Sequence, residues 1–352
     1  MHPKFLRALD GSLFFWLMFD NILSMKNENT QPKSFSAIDF LWNVGCLVSI
    51  VGIWPRFIEP NLLTNTKLSL PIRDLPESLK GFKILQFSDL HINRETTDLF
   101  IRKLLKKIKQ MKPDLIAFTG DFLCYSKFGH REKLKRFLNE LSAPYGCYAI
   151  LGNHDYEKTV SINSEGEYDL QENSSSLLGK AFERLTSTTQ LKKITTERAR
   201  AVGVKNELID VIRETPFLLL NNETHILPVK DTFLNICGLG EYTLGRCLPD
   251  LAYKNYNSKY PGLILLHNPD GFPLLQSYPG DIVLCGHTHG GQVNLPWIWK
   301  KFTLLENMQF KNGLFYLNDK WLYVSRGIGS VMPFRLFAMP EIVTITLERA
   351  KQ

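Results

Sequence analysis

From residue 83 onward, short uninterrupted apolar runs alternate with stretches whose apolar positions recur every three or four residues. KILQFS, DLIAFT and CYAIL are runs of strand length. Between them, Phe100, Leu104, Ile108 and Met111 mark one amphipathic helix and residues 133–141 a second run, with ELIDVIRE and PFLLL following the insertion. This alternation predicts a parallel βαβαβ sheet and an α/β fold. Beyond residue 217 the chain becomes strand-rich through TFLNICGLG, LILLHN, DIVLCG, WLYVSR and EIVTITL, with Asn222 and Glu223 read as turn residues and a Gly- and Pro-rich connection over residues 290–296. No internal repeat or low-complexity tract interrupts it.

Two regions depart from this rhythm. Residues 1–60 carry apolar and aromatic stretches at 13–19 and 40–54, separated by a polar loop at 26–36. The second stretch has 16 uncharged residues between Asp39 and Arg56, short of the roughly 20 that cross a bilayer. Asp10 and Asp20 flank the first, and no small-residue cleavage site follows it. The region reads as a membrane-associating segment, a shallow hairpin on or in the bilayer, with a helix pair packed on the domain as the alternative. The remainder, 61–352, is the expected catalytic domain. Within it, residues 157–203 form a Ser-, Glu- and Lys-rich insertion whose Leu177, Leu178, Phe182 and Leu185 keep helical spacing, which predicts a helical lid or a plain surface excursion.

At 352 residues the chain suffices for one large domain with an appendage. Its net charge of +7 suits an anionic partner such as phosphate or a membrane surface without choosing between them. The six cysteines form no CxxC pair, which fits buried, reduced thiols in a reducing compartment.

The chemistry sits where the apolar runs end. Asp89 and His91 close the first, Gly120 and Asp121 the second, and Gly152, Asn153, His154 and Asp155 the third; His267 and then Gly286, His287, Thr288 and His289 close two later ones. Strand ends are where α/β proteins build sites. A two-metal hydrolytic site needs oxygen and imidazole ligands, one shared carboxylate and spare coordination for water and substrate. Asp89 and His91 can turn to one ion, Asp121 can bridge, and Asn153, His267 and His287 can hold the second, with His289 returning to the first. His154, next to a ligand and followed by Asp155, is the candidate general acid, with Asp155 orienting its ring. A water held between the ions, its pKa lowered towards about 7, would attack phosphorus in line.

Taken in order, these strings resemble the calcineurin-like metallophosphoesterase superfamily, whose pattern is DxH, GD, GNH(D/E), H and GHxH. The resemblance spans about residues 81–348. It implies a four-layer α/β/β/α sandwich and two divalent ions, manganese being the usual choice. It places Asp89, His91, Asp121 and His289 at one ion and Asp121, Asn153, His267 and His287 at the other.

LLHNPD, GHTHGGQV and YVSRGIGSVMPFRLFAMPEI further resemble the YaeI-type bacterial branch of that superfamily. That branch includes an enzyme cleaving UDP-2,3-diacylglucosamine to 2,3-diacylglucosamine 1-phosphate and UMP in lipid A synthesis. The implied partners are a nucleotide-activated glycolipid and the membrane surface, at the cytoplasmic face of the bacterial inner membrane. Arg326 and Arg335 are candidate phosphate binders, because guanidinium forks suit phosphate oxygens, and equally candidates for other roles. Residues 296–302 mix tryptophans with lysines as membrane interfaces do, or pack under a loop. The basic helix with Arg102, Lys103, Lys106, Lys107 and Lys109 reads as a solvated face. No basic and aromatic groove suggests nucleic acid. A general metal-dependent phosphodiesterase or phosphatase is the competing enzyme reading. A binding scaffold that had lost activity would have lost ligands, and none is missing.

Overall fold

The computed structural model describes residues 41–351 apart from 43, 46, 47, 172–190, 296–298, 304 and 333. Every apolar run read above forms a strand: β2 (Lys83–Phe87), β3 (Leu115–Thr119), β4 (Cys147–Ile150), β7 (Phe217–Leu219), β9 (Thr232–Gly238), β10 (Gly262–Leu265), β11 (Ile282–Cys285), β13 (Lys320–Val324) and β14 (Glu341–Arg349). Three edge strands, β1 (Thr64–Ile72), β8 (Glu223–Val229) and β12 (Gly313–Leu317), were not anticipated. Edge strands are half exposed, so their residues need not be apolar. Asn222 does turn the chain, with φ 54°, whereas Glu223 opens β8.

The strands make two six-stranded sheets, ordered β1-β14-β2-β3-β4-β7 and β12-β13-β11-β10-β9-β8. The expected parallel βαβαβ unit is present, and the strand beside it was not foreseen. β2, β3, β4 and β7 are parallel, but β14 enters antiparallel beside β2 and parallel to β1. In the second sheet β9, β10, β11 and β13 are parallel, with antiparallel β8 and β12 at the edges. Both edges arise from two-residue hairpin turns, Lys230-Asp231 and Asn318-Asp319, in which Lys230, Asn318 and Asp319 have φ of 52°, 51° and 58°. Such turns match the strand twist.

Side-chain alternation sets the layers. Ile84, Ala117, Ile150 and Val343 point between the sheets, where they meet Ile236, Leu265 and Leu284 of the second sheet. Leu85, Phe87, Ile116, Phe118 and Ala149 point outward beneath α1 (Asp98–Met111), α2 (Arg131–Asn139) and α3 (Asn206–Arg213). α1 begins where the Thr97 hydroxyl caps the Phe100 amide and stops at Lys112, whose φ is 46°. It buries Phe100, Ile101, Leu104 and Ile108, worth about 2 kcal/mol each. Leu104→Ala would cost about 2–5 kcal/mol by opening a cavity there. The outer face of the second sheet is covered by Ala252, Phe272, Leu275 and Phe310 from short helical turns. Two mixed sheets between helical layers thus hold the loops at the strand carboxyl ends. Gln86 ties those ends together, its amide donating to Thr119 Oγ1 and to the Cys285 carbonyl of the opposite sheet.

The described part of the insertion begins as a hairpin, β5 (Val160–Ile162) with β6 (Tyr168–Leu170), and ends in the short helix Glu197–Arg200. The predicted helical positions Leu177, Leu178, Phe182 and Leu185 lie outside the described residues. So do residues 1–40, including the first apolar stretch. The second stretch runs into a helical segment, Ser49–Ile58. No helix among the described residues is long and apolar enough to cross a membrane.

Candidate dinuclear metal centre

Parallel strands β2, β3 and β4 end side by side, and β10 and β11 end opposite them, so five loops converge on one point. The loop backbones are strained there. Asp89, His91, Asp121, His287 and His289 have φ of 55°, 45°, 62°, 71° and 51°, a left-handed conformation unusual for residues with side chains. Strain of this kind persists where the surroundings over-determine it, and clusters at functional sites. Close backbone approach supplies part of that determination. A Cβ on Gly152 would stand 2.2 Å from Asp121 Oδ1, and one on Gly286 would stand 1.9 Å from Ser88 Oγ.

All seven predicted ligands meet. His91 Nε2 lies 3.0 Å from His289 Nε2 and 3.9 Å from Asp89 Oδ1, and His289 Nε2 lies 3.7 Å from Asp89 Oδ1. Beside this group, Asn153 Oδ1 lies 3.2 Å from His267 Nε2 and 3.0 Å from His287 Nδ1. Asp121 Oδ2 stands between the groups, 3.5 Å from His91 Nε2 and 3.3 Å from His267 Nε2, the placement of a shared oxygen. Its Oδ1 accepts the His154 backbone N–H. Thr288 separates the two histidines of one turn so that His287 joins one group and His289 the other.

The donor set fits two divalent cations. Donors about 2.1 Å from one ion stand roughly 3.0–3.4 Å apart, close to the separations here. His91 Nδ1 and His267 Nδ1 lie 2.8 and 2.7 Å from the carbonyls of Leu123 and Thr119. Donation to those carbonyls puts the proton on Nδ1 and turns the Nε2 lone pair inward. Electrostatics divides the ligands. Burial raises the Asp121 carboxyl, but His267, His154 and His91 outweigh it and hold Asp121 well below the usual range. Burial, then the neighbouring His267, pushes the His287 imidazole down to about 3, and burial with His91 and Arg335 takes His289 well below its ordinary value. Neutral imidazoles are the form that binds metal. Burial also lowers His267, but Asp121, Glu241 and Asp89 outweigh it and hold that imidazole well above its ordinary value, so a cation binding there has to displace its proton.

His154 stands at the rim, its ring centroid 4.8 Å from that of His91. Its Nδ1 accepts the Tyr125 backbone N–H at 2.9 Å, which leaves the proton of the neutral ring on Nε2. Asp155, expected to orient this ring, also has a role in the backbone. The Asp155 carboxylate accepts the backbone N–H groups of Asp121, Gly152 and Leu123, so it ties two ligand loops together. The Tyr125 amide, invisible to a sequence reading because it is backbone, braces His154.

The arginines are also placed differently from the phosphate-binding expectation. Arg335 is 0% exposed, with Nε on Ser330 Oγ, Nη1 on the Ala338 carbonyl, and Nη2 on the Arg326 and Gly329 carbonyls. Arg326 pairs with buried Glu341 at 2.7 Å and also donates to Thr64 Oγ1. Both belong to the frame behind the centre. Glu341, which also accepts from Tyr323 and Thr66, was not singled out from the sequence, where an isolated Glu opening a strand carries no signal.

A cleft opens from Asp121, Asn153, His154, His287 and His289. Val160, Ile162, Leu305, Val331 and Met332 give it an apolar wall, and Tyr168 of the β5–β6 hairpin closes one side. The Tyr168 hydroxyl donates to Glu306, as does that of Tyr242, which pins the hairpin to the domain.

Residues 82–291, more than half of the chain, match the family described as calcineurin-like phosphoesterase. UDP-2,3-diacylglucosamine pyrophosphatase LpxG of Chlamydia muridarum is 39% identical over 306 residues, 83% of this chain and 92% of that protein. LpxG of Chlamydia trachomatis is 38% identical over 307 residues, with the same coverages. Phosphodiesterase YaeI of Escherichia coli is 25% identical over 266 residues, 76% of this chain and 82% of its own length.

Proposed function

Because this chain belongs to the calcineurin-like phosphoesterase family and is a metal-dependent phosphoester or pyrophosphate hydrolase, we propose that it cleaves the pyrophosphate of UDP-2,3-diacylglucosamine, releasing 2,3-diacylglucosamine 1-phosphate and UMP. The observation that carries this reading is identity of 39% to LpxG extending over 83% of the chain. Asp89, His91, Asp121 and His289 would hold one divalent ion, and Asp121, Asn153, His267 and His287 the other, with manganese the expected metal. When bound, such ions supply Lewis acidity towards phosphoryl oxygens and an activated water. His154 donates a proton from Nε2 to the leaving oxygen, and the Tyr125 amide keeps that nitrogen as the donor. Asp155 holds the Asp121 and Gly152 loops at the spacing the centre requires.

A lipid substrate agrees with two surfaces. The apolar cleft wall adjoins the centre, and the insertion hairpin forms part of it, which suits a lid over acyl chains. Residues 41–58 expose Leu41, Trp42, Val44, Val48, Ile53, Trp54, Phe57 and Ile58, with Trp42 73% and Phe57 62% exposed. Exposed apolar side chains concentrated in one short segment mark contact with a membrane or partner. We take residues 1–60 as the membrane-associating segment and place the enzyme at the cytoplasmic face of the inner membrane.

The similarity to YaeI supports a second reading, a general phosphodiesterase. Hydrolysis of UDP-2,3-diacylglucosamine with added manganese, run beside bis-p-nitrophenyl phosphate, separates the two. Rapid UMP release with little cleavage of the small diester supports the lipid reading, and the reverse pattern overturns it.

A further inference from the structure

Three pieces of chain make the apolar wall of the cleft: Val160 and Ile162 of β5, Leu305, and Val331 with Met332. The first two pieces meet at one side chain. Glu306, the neighbour of Leu305, has a side chain only 6% exposed. Its Oε1 accepts the Tyr168 hydroxyl at 3.1 Å, and the Tyr242 hydroxyl donates between its two oxygens, at 3.1 and 3.2 Å. Lys193 Nζ stands 3.6 Å from Oε2 at the outer edge. Tyr168 is buried on β6, opposite Ile162 of β5. Its main chain is bonded to the other end of the insertion, the N–H donating to the Ile194 carbonyl and the carbonyl accepting the Thr196 N–H. Both stems of the insertion therefore converge on Glu306. The loop that carries this residue is held independently, because the Asp270 carboxylate accepts the backbone N–H groups of Glu306 and Asn307 at 2.8 and 3.0 Å.

We propose that Glu306 is a positioning residue for the apolar half of the cleft: by accepting from Tyr168 and Tyr242 it seats the β5–β6 hairpin against Leu305, and so selects a substrate with acyl chains over a small phosphodiester. A two-stranded hairpin is marginally stable by itself, so its place is decided by what fastens it. The insertion has two further ties to the body of the domain, Thr195 Oγ1 donating to the Thr243 carbonyl at 3.1 Å and the Ser126 and Thr159 hydroxyls 3.0 Å apart. Both join neutral groups, whereas hydrogen bonds to an ionised carboxylate are about twice as strong. Removing the carboxylate also leaves the Tyr168 and Tyr242 hydroxyls without their acceptor, each loss being worth about tenfold or more in an equilibrium. The metal half of the cleft is built separately. Glu306, Tyr168 and Tyr242 bond none of the seven ligands, so the effect is confined to the apolar wall.

The selectivity rests on the lipid reading of the function, and the seating of the hairpin is measured without substrate. The test takes full-length Glu306→Gln and Glu306→Leu through steady-state kinetics on UDP-2,3-diacylglucosamine and on bis-p-nitrophenyl phosphate with manganese. Hydrogen exchange of residues 158–171 is followed by mass spectrometry in the same proteins and in Tyr168→Phe, which keeps the ring and loses the hydroxyl. KM for the lipid should rise about threefold or more in Glu306→Gln, whose amide still offers one acceptor, and about tenfold or more in Glu306→Leu, with kcat little changed. Both constants for the small diester should stay at their wild-type values, and the hairpin should exchange faster in all three variants. If Glu306→Leu does not fold, Glu306→Gln and Tyr168→Phe decide. Unchanged exchange of the hairpin, or equal loss of activity on both substrates, would overturn the proposal. Wild-type protein that leaves UDP-2,3-diacylglucosamine intact would refute the lipid reading and the selectivity with it, while the exchange rates would still decide whether Glu306 seats the hairpin.

Discussion

Replacing His154 by alanine separates proton transfer from metal binding. The imidazole is held through Nδ1 by the Tyr125 amide, and its ring adjoins His91, yet its backbone N–H, which alanine retains, is what bonds Asp121 Oδ1. The substitution therefore leaves the bridging carboxylate supported. Its folding cost is the Tyr125 N–H losing an acceptor, about 1–3 kcal/mol, within the about 5–15 kcal/mol that domains of this kind possess. General acid catalysis contributes about 10²- to 10⁴-fold, which at about 1.4 kcal/mol per factor of ten is about 3–5 kcal/mol of barrier. Turnover of UDP-2,3-diacylglucosamine should fall by that factor in kcat while manganese content stays at the wild-type value. The assay is UMP release by chromatography on protein whose metal content is measured by mass spectrometry in the same sample. A phosphodiester with a poor leaving group should suffer more than its nitrophenyl analogue, because a good leaving group needs less protonation. The acid assignment is refuted if His154→Ala loses metal as fully as a ligand variant, since the His154 ring nitrogen also lies within 4.8 Å of ligand atoms of His91 and Asp121. It is equally refuted if turnover is unchanged for both leaving groups.

Asp121→Ala should lose activity and both ions together, seen as metal content well below two per chain, because its Oδ2 faces both groups. Gly152→Ala would place a methyl 2.2 Å from Asp121 Oδ1, so metal affinity should fall at least tenfold while far-ultraviolet dichroism stays that of a folded chain; normal affinity would mean the loops yield more readily than their packing implies. Cys124, Cys147, Cys237, Cys247 and Cys285 are buried, and burial pushes the thiols of Cys124 up to about 11 and of Cys147, Cys237 and Cys247 up to about 12. Iodoacetamide at pH 8 should leave all five unlabelled in native protein and label them in urea, as read by peptide mass spectrometry. Trp42→Asp with Phe57→Asp should reduce sedimentation with lipid vesicles at least tenfold, since each ring is worth about 1.5–3 kcal/mol on burial; unchanged sedimentation would place the membrane contact elsewhere.

The apolar runs determined the nine strands they encode and the Asp- and His-bearing loops at their ends, because strand burial and ligand chemistry are both written in residue type. The order of Asp89, His91, Asp121, Asn153, His267, His287 and His289 was enough to foresee one convergent centre. Edge strands β1, β8 and β12 stayed hidden, since a half-solvated strand is stabilised by its neighbour's backbone as much as by its own side chains. The antiparallel entry of β14 was hidden for the same reason: direction is a property of pairing, which no local pattern encodes. Residue type likewise left the roles of Asp155, Arg326 and Arg335 open, whose charges suggested chemistry and which the structure engages with backbone amides, Glu341 and backbone carbonyls. Those partners lie up to 34 residues away for Asp155 and are mostly main-chain groups common to every residue, so only the tertiary structure could decide which charged side chains face the substrate and which hold the frame.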